Sequence, residues 1–140
     1  MASPRILVVE DNAKNMKLVR DVLQATGYRT LEATTGRRAL ELALEHRPDL
    51  VLMDVQLPDI DGVEALGRLR VDVRTASIPV LALTAQAMQG DRERFLAAGF
   101  DDHIPKPLNV VEFLRTVELH CAGRSRNGPG TQSPTTVFRP

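Results

Sequence analysis

Four apolar residues in unbroken succession, Leu50-Val51-Leu52-Met53, run straight into Asp54. Successive side chains of a strand point to opposite faces, so a strand with one wet face alternates apolar and polar residues. A run with no polar member predicts a strand covered on both faces, as in the middle of a parallel sheet. Asp54 stands at its carboxyl end, and Val55-Gln56-Leu57-Pro58-Asp59 continues into a proline-containing loop. Open α/β sheets place their ligands at such strand ends. Asp54 is therefore the first candidate for chemistry.

The rest of the chain alternates strand and helix around this run. Residues 5–9 form a short β-rich run that leads into Glu10-Asp11-Asn12. Residues 14–25 carry Met16, Val19 and Leu23 at helical spacing, with Leu18, Val22 and Ala25 widening the stripe. Asn12 is the expected cap and Gly27 the expected stop. Residues 28–33 read as a more exposed strand, and Thr34-Thr35-Gly36 as turn and cap. Ala39, Leu40, Ala43 and Leu44 make the next helical stripe, ended by Pro48. After the central strand a helix is predicted over residues 62–73, with Asp59 and Asp61 shaping its entry and capping it. Residues 78–83 read as a fourth strand with Pro79 at its start, where a missing donor is tolerated. Residues 88–98 read as a helix closed by Gly99, with Met88 and Phe95 as core residues. Residues 100–104 read as a fifth strand. Asn109 caps a last helix whose stripe is Val110, Leu114, Val117 and Cys121. Five strand–helix units predict an α/β domain with a parallel sheet, helices on both faces and right-handed crossovers.

Composition narrows the function classes. With 140 residues, 43% apolar, the chain holds one domain with a real core, and four Phe with one Tyr make that core aliphatic. The net charge is zero, but Arg124, Arg126 and Arg139 lie in the last 20 residues with no acid there, so residues 1–120 carry −3. Nothing in this distribution points to a nucleic-acid surface, and no direct DNA binding is expected. A single cysteine, Cys121, excludes an internal disulfide and a cysteine-based zinc site, and reads as inert packing. No apolar span is long enough for a membrane or a signal peptide, so no membrane contact and a cytoplasmic location are expected. The last residues, 121–140, are basic and rich in Gly, Pro, Ser and Thr, and read as a disordered tail to a domain over residues 1–120. His46 and His120 read as helix-surface residues.

In a parallel sheet all carboxyl ends lie on one edge. Glu10 and Asp11 follow strand one, Asp54 ends strand three, Thr84 follows strand four and Lys106 follows strand five. Three carboxylates, a hydroxyl and an ammonium thus converge. Clustered carboxylates repel unless a positive charge sits among them. A hard divalent cation with oxygen ligands is the economical answer, and Mg²⁺ takes one or two carboxylates while keeping several waters. Asp11 and Asp54 would be direct ligands, the backbone carbonyl of Gln56 could supply a third, and Glu10 could act directly or through water. Lys106 balances the remaining charge, and Thr84 can donate to an oxyanion. A metal, a carboxylate nucleophile, a hydroxyl donor and a lysine suit phosphoryl transfer, which is mostly positioning and charge stabilisation. Movement of Thr84 and Lys106 toward the new charge would be a switch.

At these residues the chain resembles the receiver domain of two-component response regulators, the CheY-like family. The resemblance covers about residues 5–120 and rests on Val8-Val9-Glu10-Asp11-Asn12, Leu52-Met53-Asp54-Val55-Gln56-Leu57-Pro58, Leu83-Thr84-Ala85 and Lys106-Pro107 in family order. It implies a flavodoxin-like five-stranded sheet in the order 2-1-3-4-5. It implies that Asp54 accepts a phosphoryl group from a phosphohistidine on a sensor histidine kinase or histidine phosphotransfer protein. Glu10, Asp11 and Asp54 would hold Mg²⁺, Thr84 and Lys106 would bind phosphoryl oxygens, and Lys106-Pro107 would be cis. His103 stands at the switch position, where the family usually has Tyr or Phe. Gln56 and Gln86 stand where the family tunes dephosphorylation. With no DNA-binding or catalytic domain after residue 120, output would pass to a downstream protein partner on the strand 4–helix 4–strand 5–helix 5 face. Such a protein is a phosphorelay switch rather than a conventional enzyme, although it catalyses its own aspartyl phosphorylation and dephosphorylation. Two alternatives stand beside this reading. One is an aspartyl phosphatase of the haloacid-dehalogenase type, which usually needs a second Asp where Gln56 stands. The other is a phosphate-independent adaptor.

Overall fold

The computed structural model describes residues 3–85 and 91–126, the latter with backbone only for Asp91 and residues 122–126. Strands and helices alternate as β1 (Arg5–Val9), α1 (Ala13–Ala25), β2 (Arg29–Ala33), α2 (Gly36–His46), β3 (Leu50–Asp54), α3 (Gly62–Val71), β4 (Val80–Thr84), α4 (Asp91–Ala98), β5 (Asp102–Pro105) and α5 (Val110–Arg126). The strands form one parallel sheet in the order β2-β1-β3-β4-β5. The fold class is as the strand–helix alternation indicated, and the strand order is as the resemblance implied.

The alternation of side chains explains the unbroken apolar run of β3. Leu50 and Leu52 pack with Ile6, Val8, Leu81 and Leu83 against Met16, Val19 and Leu23 of α1 and Phe113, Val117 and Cys121 of α5. Val51 and Met53 pack with Leu7, Val9, Val80 and Ala82 against α2, α3 and Phe95 of α4. Each face of the sheet is thus a separate aliphatic layer, and every residue of β3 is buried. Full burial of each such side chain stabilises the fold by about 1.5–3 kcal/mol. Strand β2, at one edge, is the more exposed strand that its sequence indicated.

Helix entries are set by side-chain caps. Asn12 Oδ1 accepts the Asn15 N–H, Thr35 Oγ1 the Arg38 N–H, Asp61 Oδ1 the Glu64 N–H and Asn109 Oδ1 the Glu112 N–H. Asp59 behaves differently from expectation. Its carboxylate accepts the Gly36 and Arg37 N–H groups at 2.8 and 2.9 Å, so it closes the start of α2 rather than of the helix that follows it.

Several boundaries move for identifiable reasons. Pairing of β4 begins at Val80, because Ile78 donates to the Thr75 carbonyl in a turn. Strand β5 begins at Asp102, because Phe100 still donates to Phe95 in closing α4. The stripe of α5 that enters the core is Phe113, Val117 and Cys121, while Val110 is exposed at the mouth of the helix. Leu18 is exposed as well, and Ala25 lies outside the core. Helix α5 continues to Arg126, so residues 121–126 are helical and not the beginning of a tail. Buried Val117 and Cys121 hold that stretch of helix in place, and Gly123 alone costs only about 1 kcal/mol. The disorder expected further along the tail, the expected start of the fourth helix at Met88, and Gln86 all fall outside the described residues.

Candidate functional site

The carboxyl ends of the strands converge as the topology requires. Asp54 pairs in register with Leu83 of β4, and Thr84 with Pro105 of β5. Glu10 follows β1 directly, its N–H held by the Ala33 carbonyl at 3.0 Å. Carboxylate oxygens of Glu10, Asp11 and Asp54 lie within 4.8 Å of one another. Glu10 is 1% exposed and Asp54 6%, whereas Asp11 is open to solvent. The cluster therefore has two sheltered carboxylates and one at its mouth, a donor set that suits a hard cation arriving from water.

Lys106 stands over the two sheltered carboxylates. Its Nζ donates to Glu10 Oε1 at 2.6 Å and to Asp54 Oδ2 at 3.0 Å. The Lys106 N–H donates to the Thr84 carbonyl at 2.7 Å, and the Lys106-Pro107 peptide is cis, as expected. The other oxygens have backbone donors. Asp54 Oδ1 accepts the Gln56 N–H at 2.8 Å, and Glu10 Oε2 accepts the Asn12 N–H at 3.1 Å.

Burial pushes the Glu10 carboxyl above its ordinary value. Hydrogen bonds from Lys106 and Asn12 pull it back, and neighbouring Asp54 pushes it up again. For Lys106, burial acts downward, but the hydrogen bonds to Glu10 and Asp54 outweigh it and the ammonium sits above the usual lysine value. Both shifts favour more positive charge. The pocket has a surplus of carboxylate that one lysine does not neutralise.

The remaining expected residues lie around this centre. Thr84 is buried at the end of β4. The Gln56 side chain points to solvent. His103 is half-buried on β5, its ring centroid 5.9 Å from that of Phe95 on α4. Its Nδ1 is buried and has no hydrogen-bond partner, the one such side-chain atom among the described residues. Beside Lys106, exposed Leu18 joins Val19, Leu83, Pro107 and Leu108 around a groove of about 70 Å³. Its place on the rim of this groove accounts for its exposure.

Residues 6–118 match the response regulator receiver domain family. The chain belongs to that family. It is 48% identical over 115 residues to the polar-differentiation response regulator DivK of Brucella anthropi, covering 82% of this chain and 94% of DivK. Its fold superimposes with a TM-score of 0.79 on the receiver domain of a sensor histidine kinase from Pseudomonas aeruginosa, at 37% identity, covering 86% of this chain and 99% of that one. That structure has a magnesium ion coordinated in the active site cleft. A third likeness, with TM-score 0.78 and 26% identity over 88% of this chain and 92% of the other, is to the Saccharomyces cerevisiae receiver domain of Ssk1, crystallised with the histidine phosphotransfer protein Ypd1.

The receiver is a DivK-like response regulator domain and not a conventional enzyme. Membership in this family displaces the haloacid-dehalogenase alternative. Among the described residues no helix is long and apolar enough to cross a membrane. Two features of the receiver were missed by sequence reasoning. Asp59 acts on a helix start 23 residues away. His120, expected on the helix surface, has its Nε2 3.3 Å from the Asp102 carboxylate and is largely covered. Neither pairing leaves a periodic signal in the chain.

Proposed function

We propose that Asp54 of this receiver accepts a phosphoryl group from a phosphohistidine, and that Thr84, His103 and Lys106 convert the new charge into a change of surface. The observation that carries the reading is the Lys106 ammonium, bound to both Asp54 and Glu10 at the mouth of a three-carboxylate cluster. One Asp54 carboxylate oxygen forms the bond to phosphorus as the bond from phosphorus to the histidine nitrogen breaks, and that nitrogen keeps the electron pair. Glu10, Asp11, Asp54 and the Gln56 carbonyl would hold Mg²⁺, which would supply positive charge against the oxygens of the group in transfer. The Gln56 N–H holds one Asp54 oxygen and fixes the direction of the other. Lys106, already within 3.0 Å of Asp54, is placed to follow an added phosphoryl oxygen, and Thr84 can donate to another.

The donor is a sensor histidine kinase or a histidine phosphotransfer protein. Receiver domains work with such proteins, and the crystallised pair of Ssk1 and Ypd1 supports this class for the present chain. Output passes to a protein partner on the face of β4, α4, β5 and α5, where half-buried His103 of β5 packs against Phe95 of α4. The test is labelling by a phosphorylated phosphotransfer protein with Mg²⁺. One label per chain is expected in the wild type, and none in Asp54→Asn or after chelation of the metal. A label that persists in Asp54→Asn overturns the assignment.

A further inference from the structure

Residues 55–61, which join β3 to α3, are held to the rest of the fold at their start, middle and end. At the start, the Val55 N–H donates to the Leu83 carbonyl at 3.2 Å and the Gln56 N–H to Asp54 Oδ1 at 2.8 Å. In the middle, the Asp59 carboxylate accepts the Gly36 and Arg37 N–H groups of α2, and Arg37 Nε lies 3.8 Å from its Oδ2. Ile60 beside it is buried over Gly36, where a Cβ would collide with it. At the end, the Gly62 N–H returns to the Val55 carbonyl at 3.0 Å.

The tie to α2 exceeds what capping requires. Thr35 Oγ1 already accepts the Arg38 N–H at 3.1 Å. Helices α1, α3 and α5 each start on one such local cap, from Asn12, Asp61 and Asn109. The first N–H groups of a helix can be left to water. Asp59 nevertheless brings two acceptor oxygens to α2 from 23 residues away. What it secures beyond the helix is its own loop. The link back to the pocket is short, since only Leu57 and Pro58 separate Asp59 from Gln56. Proline has a fixed φ, and Leu57 packs against the aliphatic layer beneath it. A displacement of Asp59 therefore reaches Gln56 with little slack.

We propose that Asp59 is a positioning residue for the cation site: by clamping the loop after Asp54 onto the start of α2, it fixes the place of the Gln56 carbonyl. This rests on the reading that the Gln56 carbonyl is among the Mg²⁺ ligands. Asp59 itself touches neither the cation nor the reacting atoms. Linkage makes the clamp reciprocal: if it strengthens Mg²⁺ binding, Mg²⁺ must strengthen the clamp by the same factor. The start of α2 is then a part of the molecule that senses the metal.

The experiment is a titration of the full chain with Mg²⁺ alone, followed by amide NMR at neutral pH and fixed ionic strength. It is run in wild type, Asp59→Ala, Asp59→Asn and Thr35→Ala. In the wild type the Gly36 and Arg37 amides should move with the same midpoint as those of Asp11, Asp54 and Gln56. Asp59→Ala should weaken Mg²⁺ binding about tenfold, the lower end of what residues supporting metal ligands contribute. Asp59→Asn, which keeps one acceptor oxygen, should fall between the two. Thr35→Ala removes the local cap of the same helix, so it should lower the urea midpoint and leave Mg²⁺ affinity unchanged.

Equal affinity in wild type and Asp59→Ala overturns the proposal. An equal loss in Thr35→Ala also overturns it, because Asp59 would then be a helix cap and nothing more. Equal losses in Asp59→Ala and Asp59→Asn would assign the effect to the missing charge, again against the clamp. Gly36 and Arg37 amides that ignore Mg²⁺ while the pocket responds contradict the reciprocity. If Mg²⁺ leaves the wild-type amides of Asp11, Asp54 and Gln56 in place, the metal reading itself fails, and the role of Asp59 falls with it.

Discussion

Lys106 and Glu10 are 96 residues apart in the chain, yet their charged atoms lie 2.6 Å apart. The contact joins the two ends of the folding unit across the pocket, and Glu10 is almost wholly buried beneath it. The same ammonium reaches Asp54 at 3.0 Å, so one lysine holds two carboxylates that would otherwise repel.

Removing that ammonium should expose the repulsion. Lys106→Met leaves Glu10 and Asp54 sheltered without a counter-charge, which is more costly than never having buried the pair. In metal-free buffer we expect a loss of about 2 kcal/mol, since Lys106 remains partly wet. Added Mg²⁺ should recover more stability in this variant than in the wild type, as urea unfolding with and without the ion will show.

Gly62 tests how closely α3 must approach the strand that ends in Asp54. A Cβ there would stand 2.7 Å from Val55 Cα and 2.9 Å from the Asp54 carbonyl oxygen, both backbone atoms that cannot turn aside. Gly62→Ala should cost about 1–3 kcal/mol and displace the loop after Asp54. Slower phosphoryl labelling together with weaker Mg²⁺ binding is the expected result, measured against a Gly67→Ala control, where a Cβ meets nothing.

Much of this architecture was legible beforehand. The run Leu50-Val51-Leu52-Met53 announces a doubly covered strand because its parity feeds two layers, and the capping residues Asn12, Thr35, Asp61 and Asn109 act within three residues of themselves. The strand-end carboxylates followed from topology alone. What escaped was tertiary. Leu18 and Val110 fit a helical stripe yet stay exposed, because the stripe does not say where its neighbours stop. Asp59 and Asp102 look like ordinary loop and edge acids until their partners, Gly36 with Arg37 and His120, come from elsewhere in the chain.

Asp59 gives the acid limb of stability a defined sign. Burial works to raise its carboxyl, but the N–H groups of Arg37, Gly36 and Ile60 outweigh that and lower it to about 2. A carboxyl lowered in the folded state stabilises it fully above the unfolded value of 3.8, and this contribution is lost as the pH falls toward 2. The slope of unfolding midpoint against pH between about 4 and 2 should be shallower in Asp59→Asn. That variant should also melt a few degrees lower at neutral pH, having lost one of the two acceptor oxygens that Asp59 offers at the start of α2.

Arg70 should matter for stability and not for chemistry. Its guanidinium donates to the carbonyls of Ala76, Ile78 and Gly99 and to the Asp101 carboxylate, tying the loops at the amino ends of β4 and β5. Arg70→Met should cost about 2 kcal/mol in urea unfolding while phosphoryl labelling at Asp54 proceeds at the wild-type rate.

The central claim is that Asp54 is the acceptor and that its charge reaches His103. Amide NMR of the Mg²⁺-loaded protein, before and after beryllofluoride, tests it most directly. We expect shifts at Asp54, Thr84, His103 and Lys106 that are absent in Asp54→Ala. Unchanged spectra in the wild type, or the same shifts in Asp54→Ala, would contradict it.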